Sequence, residues 1–134
     1  GYDGELFMGV MPRVFNIEHV HQLSYAELAE GLVEVDTAGW AENWEKLSGR
    51  IWEGFSAIAE ELEAAGGGNA LVVSHGMTIG TFVYLINRTR PHGLDNGSVT
   101  VVDYEDGKFT VACVGDMSYR EAGAKVMEEE VETR

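Results

Sequence analysis

The sequence has little cysteine, proline or positive charge, and it has no long apolar run. Its 134 residues include one cysteine, two prolines and nine lysines or arginines, against 23 acids. A single cysteine, Cys113, excludes an intrachain disulfide and favours a reducing compartment. No apolar run approaches the roughly 18 residues that span a membrane, and no basic-plus-apolar leader opens the chain. We therefore expect a folded cytoplasmic protein with no membrane contact.

The scarcity of positive charge also restricts the possible partners. The formal net charge of −14 argues against nucleic acid, because affinity for a phosphate backbone depends on lysine and arginine. It argues mildly against this chain holding a phosphate ester unaided. Within residues 121–134, five glutamates stand against Lys125 and Arg134. We predict that residues 123–134 are an acidic tail, either a solvated helix or a frayed end.

Two helices are predicted in the first half of the chain. Ser24 and Glu27 have the spacing of a capping box, in which each side chain bonds the other residue's free amide. A short helix over residues 25–32 should follow. Apolar residues then recur every three or four positions over residues 44–62, which predicts a long amphipathic helix. Gly66 can end that helix in the left-handed conformation.

A third helix and a hairpin are predicted in the second half. Residues 79–86 again show helical spacing, and Pro91 prevents the helix from continuing. Two β-rich runs, residues 98–104 and 109–114, flank an Asp-Gly pair at positions 106–107. Because Asp-Gly suits the tight turn of a hairpin, these runs should pair as antiparallel strands.

A short apolar run is followed closely by the main candidate for a functional residue, a histidine. Residues 70–73 are apolar and rich in β-branched types, which predicts a strand buried on both faces. Ligands bind at the carboxyl ends of such strands in open α/β sheets, where His75 stands. Gly76 and the start of the next helix add backbone amides and partial positive charge. His75 is therefore a candidate phosphate ligand or proton donor, with a purely structural histidine as the simpler alternative.

The sequence contains two other motifs with chemical side chains. His19 and His21 have the spacing of two metal ligands on one strand face, but no third or fourth ligand is evident. Ser74 precedes a histidine and a glycine as in a nucleophile elbow, yet that motif needs glycine where Val72 stands. We therefore predict no metal site and no serine nucleophile.

The order helix, strand, helix, hairpin predicts part of an α/β sandwich with a mixed sheet. A strand buried on both faces needs a neighbour on each side, and the sequence offers too few strands to supply them. We therefore expect the chain to be part of a larger fold.

Five elements, in order, resemble the carboxyl-terminal half of the histidine phosphatase, or phosphoglycerate mutase-like, superfamily. They are Tyr2-Asp3-Gly4, then Glu42 and Arg50 eight positions apart, then residues 71–76 ending in His75-Gly76, then Leu94, Asn96 and residues 98–102, and finally Asp116-Met117-Ser118-Tyr119. One departure is Ala41-Glu42-Asn43, which stands where Gly-Glu-Ser is usual. The resemblance implies a three-layer sandwich with a mixed, mainly parallel sheet whose amino-terminal strands are missing. Residues 1–122 would then be the carboxyl-terminal part of one domain.

The resemblance also implies roles for residues. The family's nucleophile is a histidine in an Arg-His-Gly motif, which becomes a phosphohistidine, and this sequence contains no such motif. His75 is implied as the catalytic residue that hydrogen-bonds the phosphoryl oxygens, with Gly76 and Met77 as phosphate- or substrate-binding residues. Asp3 and Glu5 follow the usual position of the general acid, so neither is assigned to that role.

The expected function is therefore one part of a phosphoryl-transfer enzyme. The resemblance implies a phosphatase or a mutase that acts on a small phosphorylated metabolite and needs no metal or cofactor. The lack of a recognisable mutase loop favours the phosphatase. We expect this chain alone to be inactive, and to self-associate or to pair with the missing amino-terminal half. The alternative is a non-catalytic binding or interaction module on the same fold.

Overall fold

The computed structural model describes residues 23–133, which contain four helices and one hairpin. In chain order the elements are α1 (Tyr25–Val35), α2 (Trp44–Ala64), α3 (Gly76–Asn87), β1 (Val99–Glu105), β2 (Lys108–Asp116) and α4 (Ser118–Glu132). The chain divides into two compact units, Gly1–Glu53 and Gly54–Arg134, and the boundary falls within α2. The predicted mixture of helix and strand is confirmed, but the sheet in the described part is two-stranded and antiparallel.

Helix α1 begins at the predicted capping box. The Glu27 amide donates to Ser24 Oγ at 3.1 Å, and the Ser24 amide donates to Glu27 Oε2 at 2.8 Å. The helix runs to Val35, three residues beyond the expected end at Leu32. Its buried face includes Leu28 and Leu32, which are 4% and 0% exposed. Burial of this apolar face stabilises the helix more than its intrinsic propensity does.

The connection from α1 to α2 is held by carboxylates. Asp36 accepts hydrogen bonds from the backbone amides of Ala38 and Ala41, and the Ala41 bond in particular holds the pKa of Asp36 below its ordinary value. Glu30 on α1 accepts from the amide of Trp44, the first residue of α2, at 3.0 Å. The Asp36 bonds hold the turn between the helices, and the Glu30 bond satisfies an amide that the start of α2 otherwise leaves without a partner.

Glu42 and Arg50, paired in the family motif, form a bidentate ion pair. Arg50 Nε donates to Glu42 Oε1 at 2.8 Å, and Arg50 Nη2 donates to Glu42 Oε2 at 2.6 Å. The hydrogen bonds from Arg50 hold the pKa of Glu42 below its ordinary value. The Arg50 and Glu42 side chains are 55% and 31% exposed, so solvent screens the pair. Its contribution to stability should therefore be about 0.5 kcal/mol.

This ion pair should make stability depend on pH. Because the pKa of Glu42 is lower in the folded chain than in the unfolded chain, the stabilisation is present above the unfolded pKa and is lost as pH falls through the folded pKa. We expect Glu42→Gln to lower the free energy of unfolding by about 0.5 kcal/mol at pH 7, and by less as the pH falls through the acid range. Urea unfolding over that range measures the difference, with substitution of Glu53, an exposed glutamate on α2, by glutamine as control. A penalty for Glu42→Gln that does not change with pH would contradict the assignment.

Helix α2 ends as predicted, but its apolar face is only partly covered. The Gly67 amide donates to the Leu62 carbonyl and the Gly66 amide to the Glu63 carbonyl, and Gly66 has φ +100°, as in a Schellman motif. Early in the helix, Leu47 and Ile51 are each 3% exposed. Further along, Trp52 and Ile58 are both 39% exposed, although the periodic pattern places them on the same apolar face. Periodicity indicates which side chains can be buried, whereas neighbouring elements determine whether they are.

The predicted buried strand at residues 70–74 is not formed within the described part of the chain. These residues are an extended connection from α2 to α3, and no segment within residues 23–133 pairs with their backbone. Leu71 and Val73 are 91% and 90% exposed, and Val72 is 41% exposed. The expectation of burial on both faces is therefore wrong for this structure. The physical reason is that a strand exists only beside a hydrogen-bonded neighbour, and no segment of the described residues 23–133 supplies one for residues 70–74.

The hairpin is formed as predicted, with irregular pairing at its open end. Asp106 and Gly107 have φ of +51° and +79°, as a two-residue type I′ turn requires. Pairing is regular from Glu105 opposite Lys108 to Val102 opposite Val111. The register then shifts twice before Val99 pairs with Asp116. Such bulges bend the strands and increase their twist.

Aromatic side chains pack α3 against α2 and the hairpin within the second unit. The Phe82 ring stacks on that of Phe55, with centroids 4.1 Å apart, and meets Phe109 of β2 edge-on at 5.1 Å. The hairpin turn is also tied to α2, since the Asp106 amide donates to Glu63 Oε2 at 3.2 Å. Phe82 is 4% exposed. It is therefore the central packing residue of the helix that begins at His75.

Helix α4 follows the hairpin and includes most of the acidic segment. None of its side chains is buried, and Val126, Met127 and Val131 are 55%, 69% and 72% exposed. Residues 123–132 of the predicted acidic tail are thus helical, which corresponds to the solvated-helix form of that prediction.

Candidate functional site

His75 lies at the amino terminus of α3 with its side chain exposed. It is the N-cap residue, with extended backbone angles of φ −118° and ψ 155°. Its carbonyl accepts the first helical hydrogen bond, from the Ile79 amide at 2.9 Å. The imidazole makes no capping hydrogen bond to the helix. The side chain is therefore open to a ligand approaching the end of the helix.

The first turn of α3 is suited to an anion. Backbone N–H groups at the start of a helix have no acceptor within the helix, and the aligned peptide dipoles add partial positive charge there. Helix α3 has 12 residues and no acidic residue in its first turn. Gly76 is exposed at this end and Met77 is half-buried. A phosphate-sized anion could thus accept from backbone amides while contacting the His75 imidazole.

The loop before β1 contacts the start of α3, which was not predicted from the sequence. A Cβ placed on Gly76 would lie 3.7 Å from the Leu94 carbonyl oxygen and 3.9 Å from Leu94 Cβ. A Cβ placed on Gly115 of β2 would lie 3.2 Å from Leu94 Cδ2. Leu94 therefore lies between the beginning of α3 and the end of the hairpin. In the sequence, only the place of Leu94 in the family pattern indicated that this residue lies near the site.

The Asp-x-Ser-Tyr element begins α4. Asp116 Oδ1 accepts from the Ser118 amide at 2.8 Å, and this bond is the main reason that the pKa of Asp116 lies below its ordinary value. Tyr119 is 62% exposed. In this structure the element satisfies the free amides at the start of a helix.

The structure brings together His75, Gly76 and Met77, which are consecutive at the start of α3. Several other candidates, namely Tyr2-Asp3-Gly4, Glu5, His19 and His21, lie outside the described residues. Within residues 23–133, no group of three or more His, Cys, Asp or Glu side chains is arranged to hold a metal ion. Among the helices of that range, none is both long and apolar enough to cross a membrane.

Comparison with known proteins gives two matches. The model of the histidine phosphatase superfamily (branch 1) matches residues 5–117. The crystal structure of phosphoglycerate mutase from Bacillus anthracis str. Sterne is similar with a TM-score of 0.76 and 35% sequence identity. No curated protein sequence matches the chain significantly.

The share of each chain that is matched determines whether the similarity shows the family of this chain. The structural match covers 86% of this chain but 52% of the mutase chain, so this chain spans about half the length of that relative. The family match covers most of the 134 residues, including the segment from 71 to 76 and the hairpin that first suggested the resemblance. The chain belongs to the histidine phosphatase superfamily.

Proposed function

We propose that this chain is the carboxyl-terminal half of a phosphatase that hydrolyses a small phosphate ester through a phosphohistidine. The observation that carries the proposal is the exposed His75 imidazole at the amino terminus of α3, where the family pattern has a histidine of the phosphate pocket. The chain spans about half the length of the related mutase, which supports its assignment as one part of a domain. Residues 1–122 would be the domain part and residues 123–134 an acidic tail.

His75 and the first turn of α3 form one wall of the phosphate pocket. The imidazole donates a hydrogen bond to a phosphoryl oxygen, and the amides of Gly76 and Met77 donate to the same group. These donors stabilise the negative charge that develops on the phosphoryl oxygens during transfer, without having to reorganise. This chain has a net charge of −14 and few lysines or arginines. The other cationic groups of the phosphate pocket therefore come from the rest of the domain.

The nucleophile belongs to the part of the domain that this chain does not cover. Its histidine nitrogen attacks phosphorus, the new P–N bond forms as the ester P–O bond breaks, and the leaving oxygen takes a proton from a general acid. Water then attacks phosphorus and gives its proton to a base, which releases inorganic phosphate and the free histidine. Return of the phosphoryl group to the substrate instead of to water would be a mutase reaction. Neither step uses a metal ion or a cofactor in the proposed reaction.

Residues 70–74 are the proposed contact with the rest of the domain. Their backbone has no neighbouring strand within residues 23–133, while Leu71 and Val73 are about nine-tenths exposed. An extended apolar segment of this kind tends to pair with a strand from another part of a domain or from another chain. We propose that the amino-terminal half supplies that strand, and that a second copy of the chain takes its place when that half is absent. The single cysteine supports a cytoplasmic location for the assembled enzyme.

Reassembly of the domain tests this proposal. The chain is mixed with the segment of the Bacillus anthracis mutase that it does not cover. We expect the mixture to hydrolyse p-nitrophenyl phosphate and to form an acid-labile phosphohistidine, detected by mass spectrometry, whereas the chain alone does neither. Leu71→Lys combined with Val73→Lys should prevent assembly, because two charges would be buried without partners.

The controls separate the alternatives. Replacement of Val126 and Val131 by lysine introduces the same charges on the exposed face of α4 and should leave assembly unchanged. Turnover by the chain alone that is abolished by His75→Ala would show that the active site is not divided. A complex that forms in sedimentation experiments but neither binds phosphate nor turns over would favour a non-catalytic interaction module.

A further inference from the structure

We propose that Leu94 is a positioning residue for the phosphate site, holding the start of α3, and with it His75 and Gly76, against the end of the hairpin. This inference rests on the proposed function of His75. Leu94 itself touches no substrate in this proposal. It acts by fixing where the helix amides and the imidazole point.

The first contact is between Leu94 and Gly76. A Cβ on Gly76 would lie 3.7 Å from the Leu94 carbonyl oxygen and 3.9 Å from Leu94 Cβ, which is ordinary van der Waals contact. The loop therefore passes so close to the first residue of α3 that an alanine side chain there would touch it. A displacement of Leu94 would be passed to the helix end at which His75 is the cap.

The second contact fixes the other side of the Leu94 side chain. A Cβ on Gly115 would lie 3.2 Å from Leu94 Cδ2, so a larger residue there would crowd Leu94. Gly115 has φ +69° and lies where the pairing of β1 and β2 is irregular, and its amide donates to Thr100 Oγ1 at 3.2 Å. The absence of a Cβ at Gly115, within this bulge, leaves room for the leucine side chain. Bulges often occur next to active sites, where they reorient the chain.

The loop that carries Leu94 is held by further bonds. We call residues 93–98 the Leu94 loop. Arg120 Nη1 on α4 donates to the Asn96 carbonyl at 3.2 Å, and the Ser98 amide donates to the Asp95 carbonyl at 3.1 Å. A Cβ on Gly97 would lie 3.3 Å from Arg120 Cδ, so the arginine stem also packs on the loop. Leu94 is thus part of a braced loop and cannot move independently of α4 and the hairpin.

A small displacement of this kind matters for function. The donors of a phosphate pocket must be placed to within a fraction of an ångström, and an error of about 1 Å caused by a distant substitution can cost roughly a hundredfold in rate. Leu94→Ala keeps the Cβ beside Gly76 but removes the atoms that fill the space at Gly115. The start of α3 would then no longer be held in a fixed position relative to the hairpin.

The test uses the full 134-residue chain, reassembled with the segment of the Bacillus anthracis mutase that it does not cover, and inorganic phosphate as the probe. NMR follows the His75 ring signals and the Gly76 amide during phosphate titration. We expect Leu94→Ala to raise the dissociation constant for phosphate about tenfold, as the loss of residues that orient a ligand often does. Leu94→Met, which keeps the length of the side chain, should restore affinity to within about twofold. Leu85→Ala is the matched control, because Leu85 is a half-buried leucine near the other end of α3.

Each outcome separates positioning from general stability. No phosphate-dependent change at His75 in the reassembled, unsubstituted domain would overturn the proposed function, and this inference with it. Phosphate binding by Leu94→Ala equal to that of the unsubstituted chain would overturn the inference alone. Equal weakening by Leu94→Ala and Leu85→Ala would also overturn it, since the loss would then be one of stability. If Leu94→Ala does not fold, Leu94→Ile decides: weaker phosphate binding supports positioning, and unchanged binding overturns it.

Discussion

Replacing His75 by alanine should lower the turnover of the reassembled phosphatase by about two to three orders of magnitude, the usual cost of removing one donor that stabilises a developing oxyanion. The structure gives the reason, because the imidazole stands exposed at the amino terminus of α3 and makes no capping hydrogen bond to the helix. Steady-state hydrolysis of p-nitrophenyl phosphate by the mixed halves measures the effect. The loss should appear mainly in kcat, since the donor acts on charge that develops during transfer.

His92 provides a matched control for this substitution. It is an exposed histidine in the same unit of the chain, outside α3 and outside the Leu94 loop. His92→Ala should therefore leave turnover within about twofold, while His75→Gln, which retains a neutral donor, should give an intermediate rate. Turnover by His75→Ala above a tenth of the unsubstituted rate would contradict the role proposed for His75. Loss of assembly in the His75→Ala mixture, measured by sedimentation, would show instead that the residue is structural.

Replacing Phe82 by alanine should lower the free energy of unfolding by about 3–5 kcal/mol, the range for truncating a buried aromatic residue. Phe82 is 4% exposed, stacks on Phe55 and contacts Phe109 edge-on, so its loss removes the packing of α3 on two other elements. A change of this size is a large share of the 5–15 kcal/mol that stabilises a typical domain. Urea unfolding followed by circular dichroism measures it.

Two further substitutions show whether the effect comes from this packing. Val131→Ala on α4 removes apolar atoms from a side chain that is 72% exposed, and should change stability by less than about 0.5 kcal/mol. Phe82→Leu keeps most of the apolar volume and should cost about 1–1.5 kcal/mol. If Phe82→Ala changed stability no more than Val131→Ala does, the aromatic cluster would not be the packing centre of α3.

The elements that could be predicted from the sequence are those determined by neighbouring residues. Ser24 and Glu27 satisfy amides only three residues away, and the end of α2 depends on two carbonyls within one turn of Gly66. The hairpin turn depends on the left-handed conformations of Asp106 and Gly107. In each case the residues that cause the structure lie within a few positions of it, so their spacing is visible in the chain.

The candidate site could be predicted in part for a different reason. His75, Gly76 and Met77 are consecutive, so any helix beginning at Gly76 brings them together. Leu94 is 18 positions beyond Gly76, and Gly115 is 21 beyond Leu94, so no periodic pattern links the three. The tertiary structure places Leu94 near both the start of α3 and the irregular end of the hairpin, on a loop that Arg120 of α4 contacts.

By itself, the sequence determined the caps, the turn, the order of helices and hairpin, and the family resemblance that the match over residues 5–117 confirms. The tertiary structure alone decided which apolar residues are covered. The sequence predicts that Leu71 and Val73 belong to a buried strand, but both side chains are exposed. Four apolar residues of α2 lie on one periodic face, yet two of them are buried and two are exposed, namely Leu47 and Ile51 against Trp52 and Ile58. Local structure depends on hydrogen bonds between residues close in the chain, whereas burial depends on which distant segments are present to cover an apolar face.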